Sequence, residues 1–259
     1  MVNRPAASRN REARIMGIID VHGHFGKWPF PIGGDPVGNL LELMARFDIE
    51  TAIVSSSKAI VYDMAEGNAE LAEALRDTNG LLGYVTTNPN YLAASCREMD
   101  TYLREEKFAG VKIHPSYSRC AVGTPRMSDL ISEIARRSPT VLKIHTFSAA
   151  AAGAIGADAA RHPDLPIILA HAGGAEWRET AKVARDHANV CLDFCCGHSD
   201  RGKVRHAIET AGREKILFGS DLDLLTPAFT LGMFEGAELS DAEKQAIYHD
   251  NAARLFALS

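Results

Sequence analysis

From Ile15 to the C-terminus, short apolar runs rich in β-branched residues alternate with amphipathic stretches, and the alternation never breaks. The runs are 17–22 (GIIDVH), 51–56 (TAIVSS), 81–86 (LLGYVT), 109–114 (AGVKIH), 140–145 (TVLKIH), 166–171 (PIILAH), 190–194 (VCLDF) and 216–220 (ILFGS). Helical patterns fill the gaps at 37–47, 65–78, 92–107, 127–137, 149–161, 176–187 and 201–213, and a last one lies at 240–257. Parallel neighbours need a crossover between them, and a helix is the usual one, so this rhythm predicts a parallel sheet. The runs are almost continuously apolar rather than alternating, which places both sheet faces under cover. Eight such units without a compositional break predict a closed (β/α)8 TIM barrel of the α/β class over an open doubly wound sheet. The length of 259 residues agrees, since such barrels take about 250. The expected organisation is one barrel domain over 16–259, preceded by a disordered or peripheral tail, 1–15.

That tail carries four arginines but lacks the apolar segment of a secretory signal. Nothing in the chain approaches the roughly 18 to 20 apolar residues of a membrane span. The net charge is −5, and no basic run exceeds the pair Arg136-Arg137, so the electrostatic footprint of a nucleic-acid binder is missing. Neither a GxGxxG after the first strand nor a GxxxxGK[ST] occurs, which sets aside dinucleotide and P-loop chemistry. Five cysteines, odd in number and without CxxC spacing, read as reduced thiols of a cytoplasmic protein. The expected partner is a small-molecule substrate, with no nucleic acid and no membrane; the sequence leaves a homo-oligomer open.

Placement of the histidines carries the functional information. Five of the ten, His22, His24, His114, His145 and His171, fall at or just beyond the C-terminal ends of candidate strands, the end that carries the active site in a barrel. His22 and His24 are two apart, so both imidazoles share one strand face and can reach one ion. A single strand-end histidine is ordinarily a hydrogen-bonded core residue; five together with Asp221 at the end of the eighth strand are not. Neutral imidazoles with one carboxylate suit zinc or another borderline divalent ion. Lys112, two residues before His114, should face the lumen, as should Lys143 and Val141 beside His145, and Ile167 and Leu169 beside His171. The loop 25–38, with Phe25, Trp28 and Phe30, is a candidate substrate wall. Cys195 and Cys196 sit near the same mouth, ordinarily as small buried hydrophobes and alternatively as soft ligands. His198 is a weaker pocket candidate. His162, His187, His206 and His249 fall in or near helices and read as structural.

These pieces, IIDVHGH at 18–24, GVKIHP at 110–115, VLKIHT at 141–146, PIILAHAGG at 166–174, ILFGSDLDLL at 216–225 and NAARLFAL at 251–258, resemble the amidohydrolase superfamily. Within it they are similar to the amidohydrolase-related branch of aminocarboxymuconate semialdehyde decarboxylase-like and dicarboxylic acid lactonase-like proteins. The resemblance implies one divalent metal ion, Zn2+ by preference, on His22, His24, His145 and Asp221. It gives Asp221 and His171 the catalytic roles, His171 polarising the substrate or moving a proton. Lys112 matches the fourth-strand lysine that other branches carbamylate between two metals; here the expectation is an unmodified cation, near the metal or paired with a carboxylate such as Asp20. The family's GSDxP is Gly219-Ser220-Asp221-Leu222-Asp223, without the proline.

The expected activity is metal-dependent hydrolysis of a C–N, ester or lactone bond by a metal-activated water. The alternative is non-oxidative decarboxylation of a small aromatic or unsaturated carboxylic acid, in which Arg119 or Lys112 would hold the carboxylate. A barrel that binds without turnover is the third class. Substrate contacts are expected from His114, Lys112, Trp28 and Arg119. The short chain and the lack of an arginine in loop 25–38 favour hydrolysis.

Overall fold

The computed structural model describes residues 17–31, 34–195 and 199–258. The expected tail, Cys196 and His198 lie outside them. Eight strands, β1 (Ile18–Phe25), β2 (Ile49–Ser56), β3 (Leu81–Thr87), β4 (Phe108–Ile113), β5 (Leu142–His145), β6 (Ile167–Ala170), β7 (Val190–Asp193) and β8 (Ile216–Leu217), pair in sequence order. Every pairing is parallel. The ring closes through a bridge between Gly23 and Leu222. Around it Val21 N–H donates to Phe218 O (3.0 Å) and Asp221 N–H to His22 O (2.8 Å). Only a closed barrel makes the first and last strands neighbours, and the fold is the (β/α)8 TIM barrel that the sequence predicts.

Each crossover helix buries an apolar stripe against the strands. The helix Met64–Arg76, for example, starts at Asp63, whose carboxylate accepts from Glu66 N–H, and buries Leu71 and Leu75 one turn apart. The main core joins these stripes to outward-facing strand residues such as Val54, Val111, Leu142, Ile144, Ile167, Leu169 and Leu192. A second cluster, Ile19, Val21, Val141, Ile168, Cys191 and Leu217, gathers towards the N-terminal ends of the strands, with Ala252 and Phe256 of the last helix packed on it. No helix of the described residues is long and apolar enough to cross a membrane.

Two expected faces change. Ile167 and Leu169 belong to the helix-facing core, whereas Ile168 belongs to the inner cluster. His171 still reaches the site because β6 ends at Ala170 and His171 turns into the left-handed region (φ 67°), breaking the strand's alternation. Likewise β8 is only two residues long, and Asp221 (φ 66°) leaves extended geometry to reach the barrel mouth.

Candidate active site

The first strand brings His22 and His24 to the barrel mouth, both buried. His24 Nε2 lies 2.9 Å from Asp221 Oδ1, and His22 Nε2 lies 3.4 Å from the same oxygen. These three donors lie within 4.8 Å of one another. Behind them, His22 Nδ1 is 2.9 Å from Asp193 Oδ2 at the end of β7. A carboxylate there holds the proton on Nδ1 and leaves the Nε2 lone pair facing the cluster. Asp193 was missed in the sequence; its one signal is a carboxylate inside the apolar run VCLDF.

His145 stands on the opposite side of the mouth. Its Nδ1 is 2.9 Å from His171 Nε2, and its ring stacks on that of His114 with centroids 3.9 Å apart. His145 therefore faces His171 and is not one of the three donors gathered around Asp221 Oδ1. His171 is held by the turn that follows β6, where φ is positive at His171, Ala172, Gly173 and Gly174 in succession. A Cβ at Gly173 would meet Thr180 Oγ1 at 2.0 Å and one at Gly174 would meet Phe147 Cδ1 at 2.8 Å, so the AHAGG motif is a backbone requirement as well as a source of imidazole.

Burial sets the protonation states. It pushes His24 and, with Lys143 and Lys112 nearby, His22 below the ordinary histidine range. Burial takes His145 and His114 down to about 2 and His171 to about 3. Burial alone would raise Asp221, but His22 and His24 outweigh it and hold this carboxyl well below its usual value. Neutral imidazoles with free lone pairs beside an ionised carboxylate are the donor set that a divalent cation takes. The residues present thus fit a metal ion.

Lys112 is fully buried, 3.3 Å from His22 Nε2, and burial pulls its pKa down while Asp193 and Asp221 oppose this. Asp20 is engaged elsewhere: it accepts from the hydroxyl and, at 3.1 Å, the N–H of Ser220, and from His22 N–H at 2.9 Å. Lys143 donates to Val21 O at 2.8 Å.

Above the polar cluster opens a pocket of about 340 Å3 lined by His24, His114, His145, His171 and Asp221, with Trp28, Phe30, Tyr117, Phe147 and Leu224 as walls. Trp28 stacks on Phe30 (5.6 Å) and sets its edge against His24 (4.8 Å). Its Nε1 is buried without a protein partner among the described residues. Phe25 instead packs against the helix–sheet core. Lys112 lies beneath the lining. Arg119 is exposed at the end of the short helix Pro115–Ser118 and is outside the lining among the described residues. Tyr117 and Phe147 had no sequence signal beyond following strand-end histidines.

The chain belongs to the amidohydrolase family, whose model matches residues 19–258. No curated protein matches it. Among solved structures, a 2,6-dihydroxybenzoate decarboxylase complexed with 2,6-dihydroxybenzoate is similar at TM-score 0.75 and 17% identity, over 93% of this chain and 99% of that one. A dihydroxybenzoic acid decarboxylase from Polaromonas sp. JS666, with bound manganese and the inhibitor 2-nitroresorcinol, gives 0.74 and 17% over 93% and 97%. An amidohydrolase from Burkholderia multivorans with bound zinc gives 0.75 and 19% over 94% and 100%. At these identities the likeness establishes the barrel.

Proposed function

We propose that this protein is a metal-dependent, non-oxidative decarboxylase of a small aromatic carboxylic acid. The observation that carries the reading is the pocket: Trp28, Phe30, Tyr117 and Phe147 wall a space of about 340 Å3 directly over His24, His171 and Asp221. That volume suits a single substituted ring, and aromatic walls receive a flat apolar face. Two of the similar structures are decarboxylases of dihydroxybenzoates, which supports the same choice. The pocket outweighs the short chain that favoured hydrolysis on sequence.

In this reading His22, His24 and Asp221 would hold the ion, and His145 would join them only by turning away from His171. A bound divalent cation would supply positive charge to anchor the acid and stabilise the electron-rich ring. Trp28 Nε1, buried without a partner among the described residues, donates to a carboxylate or ring hydroxyl oxygen of the substrate. Asp221 carries the proton. Its place in the pocket lining beside His24 and His171 sets it within reach of the ring carbon, to which the proton is delivered. The bond to the carboxylate breaks with its electron pair left on that carbon, CO2 departs, and solvent returns the proton. His171 lies beside the leaving carboxylate, its ring oriented by the 2.9 Å contact between its Nε2 and His145 Nδ1. The aromatic walls exclude water from the ring face.

Hydrolysis remains the second reading because an ionised Asp221 next to the ligand cluster is also placed to deprotonate a water. A matched screen separates the two. Metal-loaded protein is given hydroxybenzoates and other aromatic acids, and in parallel esters, lactones and amides, with CO2 and acid release both recorded. CO2 from an aromatic acid is expected; hydrolysis of any ester, lactone or amide without CO2 release from any acid would replace this reading with the second.

A further inference from the structure

On the far side of His22 and His171 from the pocket lies a second set of donors. Cys195 Sγ, buried just beyond β7, is 2.9 Å from His22 Nδ1 and 3.1 Å from His171 Nδ1. One ligand atom each of His22, His171 and Cys195 falls within 4.8 Å of the others, and Asp193 Oδ2 reaches His22 Nδ1 at 2.9 Å. The first site uses the opposite edge, His22 Nε2. Two imidazole nitrogens and a sulfur converging on one point form a softer donor set than two imidazoles and a carboxylate.

We infer that His22 Nδ1, His171 Nδ1 and Cys195 Sγ form a second, thiophilic metal site, and that its occupation excludes the ion held through His22 Nε2. The exclusion follows from the chemistry of imidazole. A neutral ring has one lone pair and one N–H. When Nε2 is the ligand, Nδ1 carries the proton and donates it to Asp193. When a soft ion takes Nδ1, the proton must sit on Nε2, which then no longer offers a lone pair to the first site. An ion entering the second site also displaces the thiol proton: M2+ and the S–H give an M–S bond and one released proton. The site itself rests on the two sulfur–nitrogen distances and the convergence of the three side chains; the exclusion rests on the proposed ligand role of His22.

The consequence is a barrel that zinc or manganese can load at one edge of His22 and that a thiophilic ion can disable from the other. Cd2+ is the probe, because thiolate-to-cadmium charge transfer absorbs in the ultraviolet and is read without substrate. Metal-free protein titrated with Cd2+ should develop this band. Cys195→Ser should lose it and Cys191→Ser should keep it. Protein preloaded with Zn2+ at ten times its Kd should need about tenfold more Cd2+ to reach half the band. X-ray absorption at the cadmium edge of the unaltered protein, with one sulfur among nitrogen neighbours, tests the same site should Cys195→Ser fail to fold. A band that survives Cys195→Ser in folded protein, a cadmium shell without sulfur, or a midpoint indifferent to bound zinc would overturn the inference. Zinc content after dialysis is measured separately, so failure of the first site to load is distinguished from failure of the second.

Discussion

The two ends of this barrel are built from the same strands and do opposite things. Towards the N-terminal end, Ile19, Val141, Ile168, Cys191 and Leu217 make an apolar cluster against Ala252 and Phe256. At the other end the strands that carry Val141, Ile168 and Leu217 deliver His145, His171 and Asp221. Through the cluster the register of β5, β6 and β7 is unbroken. At the mouth β8 stops after two residues, and His171 and Asp221 adopt positive φ. Backbone conformations of that kind cost about 1–3 kcal/mol each and persist only where surrounding structure over-determines them. Three positions, from Ile168 in β6 to His171 just past its end, thus separate a side chain that holds the fold from one proposed for the chemistry.

That division predicts which observable each change will move. The largest effect is expected from Asp221→Asn, which keeps the shape of the side chain and removes its charge. Turnover should fall by at least about a thousandfold, the scale seen when one member of a cooperating catalytic set is removed. Metal content after dialysis should drop as well, with the unfolding midpoint changed little. Near-normal turnover in this variant would detach the chemistry from the eighth strand. At the other end, Ile168→Ala should destabilise by about 2–5 kcal/mol through lost burial and the cavity left behind. The metal bound per folded molecule should be unchanged. Denaturant unfolding alongside metal analysis checks both halves, and metal loss without loss of stability would erase the distinction between the ends.

The same contrast governs how much could be read from sequence. All eight strands were legible because hydrophobic runs and their spacing are local properties, and so were the strand-end histidines and Asp221. Strand ends were read too long at β6 and β8, because the positive φ of His171 and Asp221 is imposed by tertiary contacts that leave no local mark. The reversal of Ile167 and Leu169 against Ile168 has the same origin. Asp193 was passed over since its meaning depends on a partner, His22, that lies 171 positions away. Tyr117 and Phe147 were missed because a pocket wall is defined by what lies across from it. Even the Gly173-Gly174 pair, plain in the motif, acquires its reason only when Thr180 and Phe147 are seen to fill the space a side chain would need.

Between the two ends stands Asp193, which touches an imidazole proposed as a ligand without lining the pocket. Asp193→Asn should weaken metal binding by about 10–100-fold, the usual cost of removing a partner behind a ligating histidine. An amide can still accept from Nδ1–H, so the fold should survive. Competition with a chromophoric chelator gives the affinity directly. An unchanged affinity would mean that Asp193 only satisfies a buried proton.

The smallest effect belongs to the pocket wall and sharpens the comparison from the substrate's side. Trp28→Phe retains an aromatic ring over His24 and deletes one buried N–H donor that has no partner among the described residues. A hydrogen bond of ordinary strength is worth about 0.5–1.5 kcal/mol net, rising when the acceptor is charged. KM for an aromatic acid should therefore rise by about threefold to tenfold, with kcat and metal content unchanged, because the donor is proposed to grip the ground state and transition state alike. Arg119→Ala provides the contrast: that side chain is exposed beyond the lining, so KM should stay within about twofold. If Arg119→Ala raised KM more than Trp28→Phe, the acid would be held from outside the aromatic walls, and the pocket would have to be redrawn around the end of the Pro115–Ser118 helix.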